Sequence, residues 1–262
     1  MVDALTIKWV TKLVTGIAAS TPILIKATKI KKNGEWAEYK PLIDDCIYKW
    51  FVPLMKMGNI EIAVKGYENI PENEPVIYTP NHSGKLDFST ICLTAPTPPT
   101  FMAKKELKKL PIVKNWMNVM DCVFVDRNNK KKAGSSLHEA IEMVGKGKRS
   151  IVVFPEGTRS KTGELGKFKG GAMKIAMETG AKIVPVLIEG TRERFDMNNK
   201  IVPGRISVSY LPAINTKGLG KEDFFAMPER IRQMLLEERE KIKKELLNAS
   251  SFKILELDAL TV

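Results

Sequence analysis

Val76-Ile77-Tyr78-Thr79-Pro80-Asn81-His82-Ser83-Gly84-Lys85-Leu86-Asp87 is the stretch from which the rest of the chain is read. Residues 76–79 make a short apolar, β-rich run, a polar loop follows, and residues 88–93 take up a helical pattern. Strand, polar loop and helix are the unit from which α/β domains are assembled, and reactive groups gather where such strands end. Working outward, the alternation recurs. Further strands are expected at residues 60–64, 100–103, 123–125, 150–154, 183–188 and 206–210, with helices at 105–117, 133–144, 171–179 and 227–247. This predicts one α/β domain over residues 59–262, with a largely parallel mixed sheet flanked by helices. The 227–247 helix reads as a covering helix with a solvated face. No internal repeat or low-complexity segment interrupts the pattern.

Residues 1–58 read differently. One helical segment ends near Asn33-Gly34 and a second covers residues 41–57, with Trp50 and Phe51 near its end. Apolar residues are mixed with lysines, as in helices that lie in a membrane interface. The nine lysines and five acids of this region give +4, and Trp9, Leu13, Ile17, Trp50 and Phe51 are expected to supply apolar docking area. Membrane docking and packing on the core as a helical hairpin are both compatible with the pattern. The longest uncharged stretch of this amino-terminal region, residues 13–25, is thirteen residues and contains Pro22, whereas a span takes about 20 apolar residues. No transmembrane helix and no signal peptide are predicted. The expectation is peripheral, monotopic association with the cytoplasmic face of the cell membrane.

Composition narrows the partners. The chain of 262 residues is 44% hydrophobic and 27% charged, which suits a folded domain. Its net charge of +12 is concentrated: residues 104–132 hold nine basic and three acidic side chains, and residues 146–174 hold eight and two. A localised positive field suits an anionic membrane, phosphorylated substrates or a polyanion. A non-catalytic basic module binding lipid or nucleic acid would carry the same footprint. Aromatics make up only 7%, and no nucleic-acid motif or stacking platform is apparent, so nucleic acid is not expected as a partner. Cys46, Cys92 and Cys122 have neither zinc spacing nor a disulfide framework and read as reduced, packed thiols. No metal is expected.

Of the two histidines, His138 falls mid-helix and reads as structural or solvent-facing. His82 directly follows a strand. Asp87 lies five residues on, which in one continuous helix would set the side chains about 140° apart. They meet only if His82 precedes the helix and the chain turns, and Gly84 eases that turn. A carboxylate on one imidazole nitrogen leaves the other to act as a general base toward an alcohol. A second strand end, Phe154-Pro155-Glu156-Gly157-Thr158-Arg159-Ser160, offers Arg159 as a fork for phosphate oxygens and Gly157 for close backbone approach. Glu156 could orient Arg159 or a substrate hydroxyl; a structural turn with a surface arginine is the plainer reading. No G-x-S-x-G elbow is present, which disfavours a covalent serine mechanism.

The segments Asn81-His82-Ser83-Gly84-Lys85-Leu86-Asp87 and Phe154-Pro155-Glu156-Gly157-Thr158-Arg159-Ser160 together resemble the first and third motifs of the 1-acylglycerol-3-phosphate acyltransferase (PlsC-like) family. Phe101-Met102-Ala103-Lys104-Lys105-Glu106-Leu107 resembles that family's lysine-bearing segment, Val123-Phe124-Val125-Asp126-Arg127 its second motif, and Val184-Pro185-Val186 its fourth. The second motif often begins with Gly, where this chain has Asp121-Cys122. The resemblance implies a glycerolipid-acyltransferase-type domain in which His82 is the general base and Asp87 orients it. It implies that Lys105, Arg127 and Arg159 bind the acceptor phosphate and that Glu156 and Gly157 position the glycerol, with Thr158 beside them in the substrate site. Val184, Pro185 and Val186 would line apolar substrate space. The implied reaction is direct transfer from an acyl-coenzyme A or acyl carrier protein thioester to the free hydroxyl of lysophosphatidic acid, with no other cofactor. Another lysophospholipid or glycerol 3-phosphate is the alternative acceptor.

Overall fold

A computed structural model describes residues 3–34, 36–126, 129–147, 149–245 and 252–261. The chain opens with α1 (Ala4–Ala19), α2 (Thr21–Lys32) and α3 (Trp36–Met57). It continues through β1 (Ile60–Lys65), β2 (Ile77–Pro80), α4 (Asp87–Thr94), β3 (Thr100–Lys104), α5 (Pro111–Val119), β4 (Val123–Val125) and α6 (Lys130–Gly145). β5 (Ile151–Val152), α7 (Gly171–Thr179), β6 (Ile183–Glu189), β7 (Gly204–Tyr210), α8 (Lys221–Glu245) and β8 (Lys253–Ile254) complete it.

Among the described residues the strands form one eight-stranded sheet in the order β4-β3-β5-β2-β6-β7-β1-β8. Five neighbours, β4 to β6, run parallel, β7 turns antiparallel to β6, and β1 lies parallel to β7. Interior parallel strands are covered on both faces and so read as continuous apolar runs. Neighbouring residues then serve different cores: Ile77, Ile151 and Ile183 face the layer of α6, α7 and α8, while Tyr78, Val152 and Val184 face the layer of α3, α4 and α5. Cys46, Cys92 and Cys122 are buried free thiols, and burial pushes Cys46 and Cys122 up to about 11.

Several boundaries depart from expectation for local reasons. The helix expected at 105–117 splits into a 3-10 turn, Lys105–Lys109, and α5. Pro111 fits a first helical position, and it holds Leu110 before it extended (φ −101, ψ 99). α8 begins at Lys221, where Asp223 accepts a hydrogen bond from Gly220 N, and Pro228 lies inside it. Asp121 takes the left-handed conformation (φ 58) at the position where the second motif often has glycine. Lys31 pairs with its carboxylate at 2.6 Å.

The amino-terminal helices join the first core rather than standing apart. Trp9 and Trp50 are buried; Trp9 Nε1 donates to Leu54 O at 2.9 Å, and Trp50 Nε1 to Ser20 Oγ at 2.8 Å. Trp50 meets Trp116 edge-on at 4.5 Å, and Phe51 meets Phe88 at 5.7 Å. The expectation that Trp9, Trp50 and Phe51 provide docking area is therefore corrected: indole N–H groups with fixed partners and rings in contact are core. Leu13 and Ile17 are partly buried against it. What faces outward on α1 is Ile7, Val10 and Val14, spaced along one face, with Ile25 on α2. No single described helix is long and apolar enough to cross a membrane, although α1 and α2, bent by 46° at Ser20, together have the length and composition of a broken span.

Candidate active site

Every group of the first motif is fixed where β2 ends. Asn81 reaches across to β6, accepting from Ile188 N at 2.8 Å and donating to Ile188 O at 2.9 Å, which extends the strand pairing by a side chain. The chain then turns, and α4 starts at Asp87. His82 thus lies ahead of the helix, and its Nδ1 sits 2.7 Å from Asp87 Oδ2. That oxygen also accepts from Ser83 N at 2.9 Å and Gly84 N at 3.0 Å, and the other accepts from the Thr191 hydroxyl. Asp87 is fully buried, so these donors do the work that water would do for an ionised carboxylate. Gly84 is required by proximity: a Cβ there would fall 2.7 Å from Thr191 Oγ1 and 2.8 Å from its backbone carbon.

His82 is 21% exposed, with its ring stacked on Phe154 at 4.0 Å. Donation from Nδ1 to a carboxylate fixes the tautomer that presents Nε2 as a lone pair. The third motif is tied to the same place. Ser160 N donates to His82 O at 2.8 Å, and His82 N donates to Glu156 Oε1 at 2.8 Å. Gly166 N takes the second oxygen of Glu156 at 3.1 Å. Glu156 is buried, and burial raises its pKa against the lowering effect of those two amides. It is a brace between loops, and Arg159 pairs with Asp196 instead, which corrects the expectation that Glu156 orients Arg159. Gly157 adopts φ +73 in the turn closed by its N–H on Phe154 O at 3.0 Å. Thr158 is exposed beside it.

Arg159 points toward solvent, 44% exposed, and its Nη1 pairs with Asp196 Oδ1 at 2.8 Å. Asp196 closes a π-helical turn, Arg192–Asp196, and its other oxygen accepts from Lys85 N at 2.7 Å. Lys105, at the end of β3, is held 2.7 Å from Asp126 Oδ2, and this hydrogen bond raises its pKa. β5 lies between β3 and β2, so Lys105 stands apart from the His82 group on the same edge of the sheet. Arg127 lies outside the described residues. Val184, Pro185 and Val186 are buried within β6 and paired with residues 78–80, which corrects their assignment to substrate space. Apolar space lies instead in a cavity of about 370 Å³ lined by Met102, Val125, Leu137, Val153, Phe154 and Gly157. His138 is a surface residue, 74% exposed and 3.4 Å from Glu142.

Thr191 and Asp196 escape a reading of the sequence. The only signal was position, since Thr191 comes just after the strand that carries the fourth motif, at the edge where α/β domains place their chemistry. Together the groups supply an oriented base with an open nitrogen, a cation at the neighbouring strand end and an apolar cavity alongside.

An acyltransferase family model matches residues 61–189, from β1 to the end of β6. The chain is 34% identical over 190 residues to the 1-acyl-sn-glycerol-3-phosphate acyltransferase of Borreliella burgdorferi, covering 71% of this chain and 75% of that one. It is 33% identical over 194 residues to the protein of that name from Saccharomyces cerevisiae, covering 71% of this chain and 63% of the yeast protein. Among solved structures, the 1-acyl-sn-glycerophosphate acyltransferase PlsC of Thermotoga maritima shares the fold, with a TM-score of 0.76 at 24% identity over 91% of this chain and 96% of that one. With its oriented histidine at the end of β2 and these relatives, the chain belongs to the 1-acyl-sn-glycerol-3-phosphate acyltransferase family and is an acyltransferase.

Proposed function

We propose that this acyltransferase moves a fatty acyl group from a thioester to the sn-2 hydroxyl of 1-acylglycerol 3-phosphate, making phosphatidic acid. The observation that carries the reading is the His82–Asp87 pair, with Nδ1 bound at 2.7 Å and the ring partly exposed. His82 Nε2 takes the hydroxyl proton as the oxygen attacks the thioester carbonyl. The tetrahedral intermediate collapses with loss of the thiolate, and the imidazolium returns its proton to that sulfur. The buried Asp87 stabilises the imidazolium in between. Arg159, Lys105 and Arg127 are assigned to the acceptor phosphate, and the cavity beside Phe154 to an acyl chain. The donor is a coenzyme A or acyl carrier protein thioester, and no metal or further cofactor is assigned a step. Ile7, Val10, Val14 and Ile25, with the amino-terminal lysines, hold the protein on the cytoplasmic face of a membrane.

The test is thiol release from each donor with lysophosphatidic acid, lysophosphatidylcholine or glycerol 3-phosphate as acceptor, with product identification by mass spectrometry. Release dependent on lysophosphatidic acid, with phosphatidic acid formed, is the expected result. Equal or faster release with another acceptor would overturn the assignment.

A further inference from the structure

The connection between β3 and α5 has two apolar sides, of which folding uses one. Leu107 and Val113 pack against the first core, and Trp116, Met117 and Val119 are buried in it. Leu110 and Ile112 point the other way, 53% and 46% exposed. Leu110 is the extended residue between the 3-10 turn and α5, and Ile112 is in the first turn of that helix. Residues 104–114 hold five lysines, Lys104, Lys105, Lys108, Lys109 and Lys114, against Glu106 alone. All five are exposed. Lone apolar side chains on a surface need no explanation, but a pair at a turn ringed by cations matches the chemistry of an anionic bilayer, with tips for the acyl boundary and lysines for the headgroups.

Position strengthens the match. β3 is parallel to β5 and β2, so the turn leaves the sheet at the edge where His82 and Gly157 lie. α5 also packs on α2, and a groove of about 760 Å³ runs between them, lined by Leu24, Ile25 and Thr28 on one side and Asn115 and Val119 on the other. Ile25, itself exposed, continues the apolar surface toward α1.

We propose that residues 105–114 form a second membrane-docking element, built into the catalytic domain, with Leu110 and Ile112 inserting into an anionic lipid surface. The element rests on the reading above that the acceptor is a bilayer lipid. It extends the apolar surface of α1 and α2 to the active-site edge across the α2–α5 groove, so two contacts fix the orientation where one would allow the protein to swivel.

The experiment uses the full chain and its Leu110→Ser, Ile112→Ser double variant, co-sedimented with vesicles of phosphatidylcholine with and without phosphatidylglycerol. Burial of two half-exposed aliphatic side chains leads to an expected loss of roughly tenfold in partition to the anionic vesicles. Activity on vesicle-embedded acceptor should fall in parallel. Activity on a short-chain acceptor below its micelle concentration, and the melting temperature, should stay at the parent's values. Parental partition of the double variant would overturn the proposal. So would a loss confined to acyl carrier protein thioesters with partition intact, which would make the surface a protein-docking site. Vesicle partition reads the surface whether or not transfer occurs, so a chain that binds vesicles but releases no thiol would sink the enzymatic assignment alone.

Discussion

The His82–Asp87 corner and the cations assigned to the headgroup are built on opposite plans. Asp87 is fully buried with four donors on its two oxygens, three of them from within five residues and the fourth from Thr191. Arg159 and Lys105 are each 44% exposed, and each is paired with a carboxylate, from Asp196 and Asp126. A base must keep one orientation through every turnover, and redundancy in a dry setting supplies that. Cations that receive a substrate must change partners, and a half-exposed cation, with water at hand to replace its carboxylate, lets go easily. On the proposed reaction, the difference separates the group that performs a step from the groups that admit a ligand.

Substitutions should respect that division. The largest effect is expected from His82→Ala, because loss of a positioned base costs roughly 10² to 10⁴ in rate. Turnover of the folded variant, measured as thiol release, should fall by at least ~10²; retention of a tenth of parental turnover would break the assignment. Arg159→Ala should act on the acceptor side alone. A hydrogen bond to a charged group is worth about 1.5–3 kcal/mol, or roughly ten- to a hundredfold, so the acceptor KM should rise by that factor while the donor KM stays put. Equal changes in both would place Arg159 elsewhere. Thr191→Val sharpens the comparison, since it removes one of four donors and leaves the shape. We expect kcat to drop by about tenfold with both KM values unchanged, and Thr191→Ser to restore it. If Ser and Val variants are equally impaired, packing and not the hydroxyl is what Thr191 contributes.

Much of this was legible in the sequence, for physical reasons that can be named. Seven strands were readable because buried parallel strands cannot afford polar residues, so runs such as residues 183–188 carry their own signature. β8, two exposed residues at a sheet edge, carries none. His82 and Asp87 were readable as a pair because a five-residue loop closes on itself. Thr191 lies 104 residues from Asp87 and Asp196 lies 37 from Arg159, distances that only the assembled sheet bridges. Trp9, Trp50 and Phe51 misled because an aromatic among lysines looks the same in sequence whether its N–H meets water at an interface or a carbonyl inside. Glu156 misled likewise: a carboxylate three residues from an arginine reads as its partner, whereas two backbone amides hold Glu156 and Arg159 pairs with Asp196.

Under the proposed assignment of Arg159 to the acceptor phosphate, Asp196 gives headgroup recognition an unusual thermodynamic form. Its carboxylate already neutralises Arg159 and accepts from Lys85 N, so a phosphate arriving at that guanidinium exchanges one anion for another. Affinity then depends on the difference between two anions at one cation. A terminal phosphate, carrying close to two charges at neutral pH, outbids a carboxylate, whereas a phosphodiester with one charge merely matches it. On that assignment the resident carboxylate sets a threshold of charge that an acceptor has to exceed, and diester lipids fall below it.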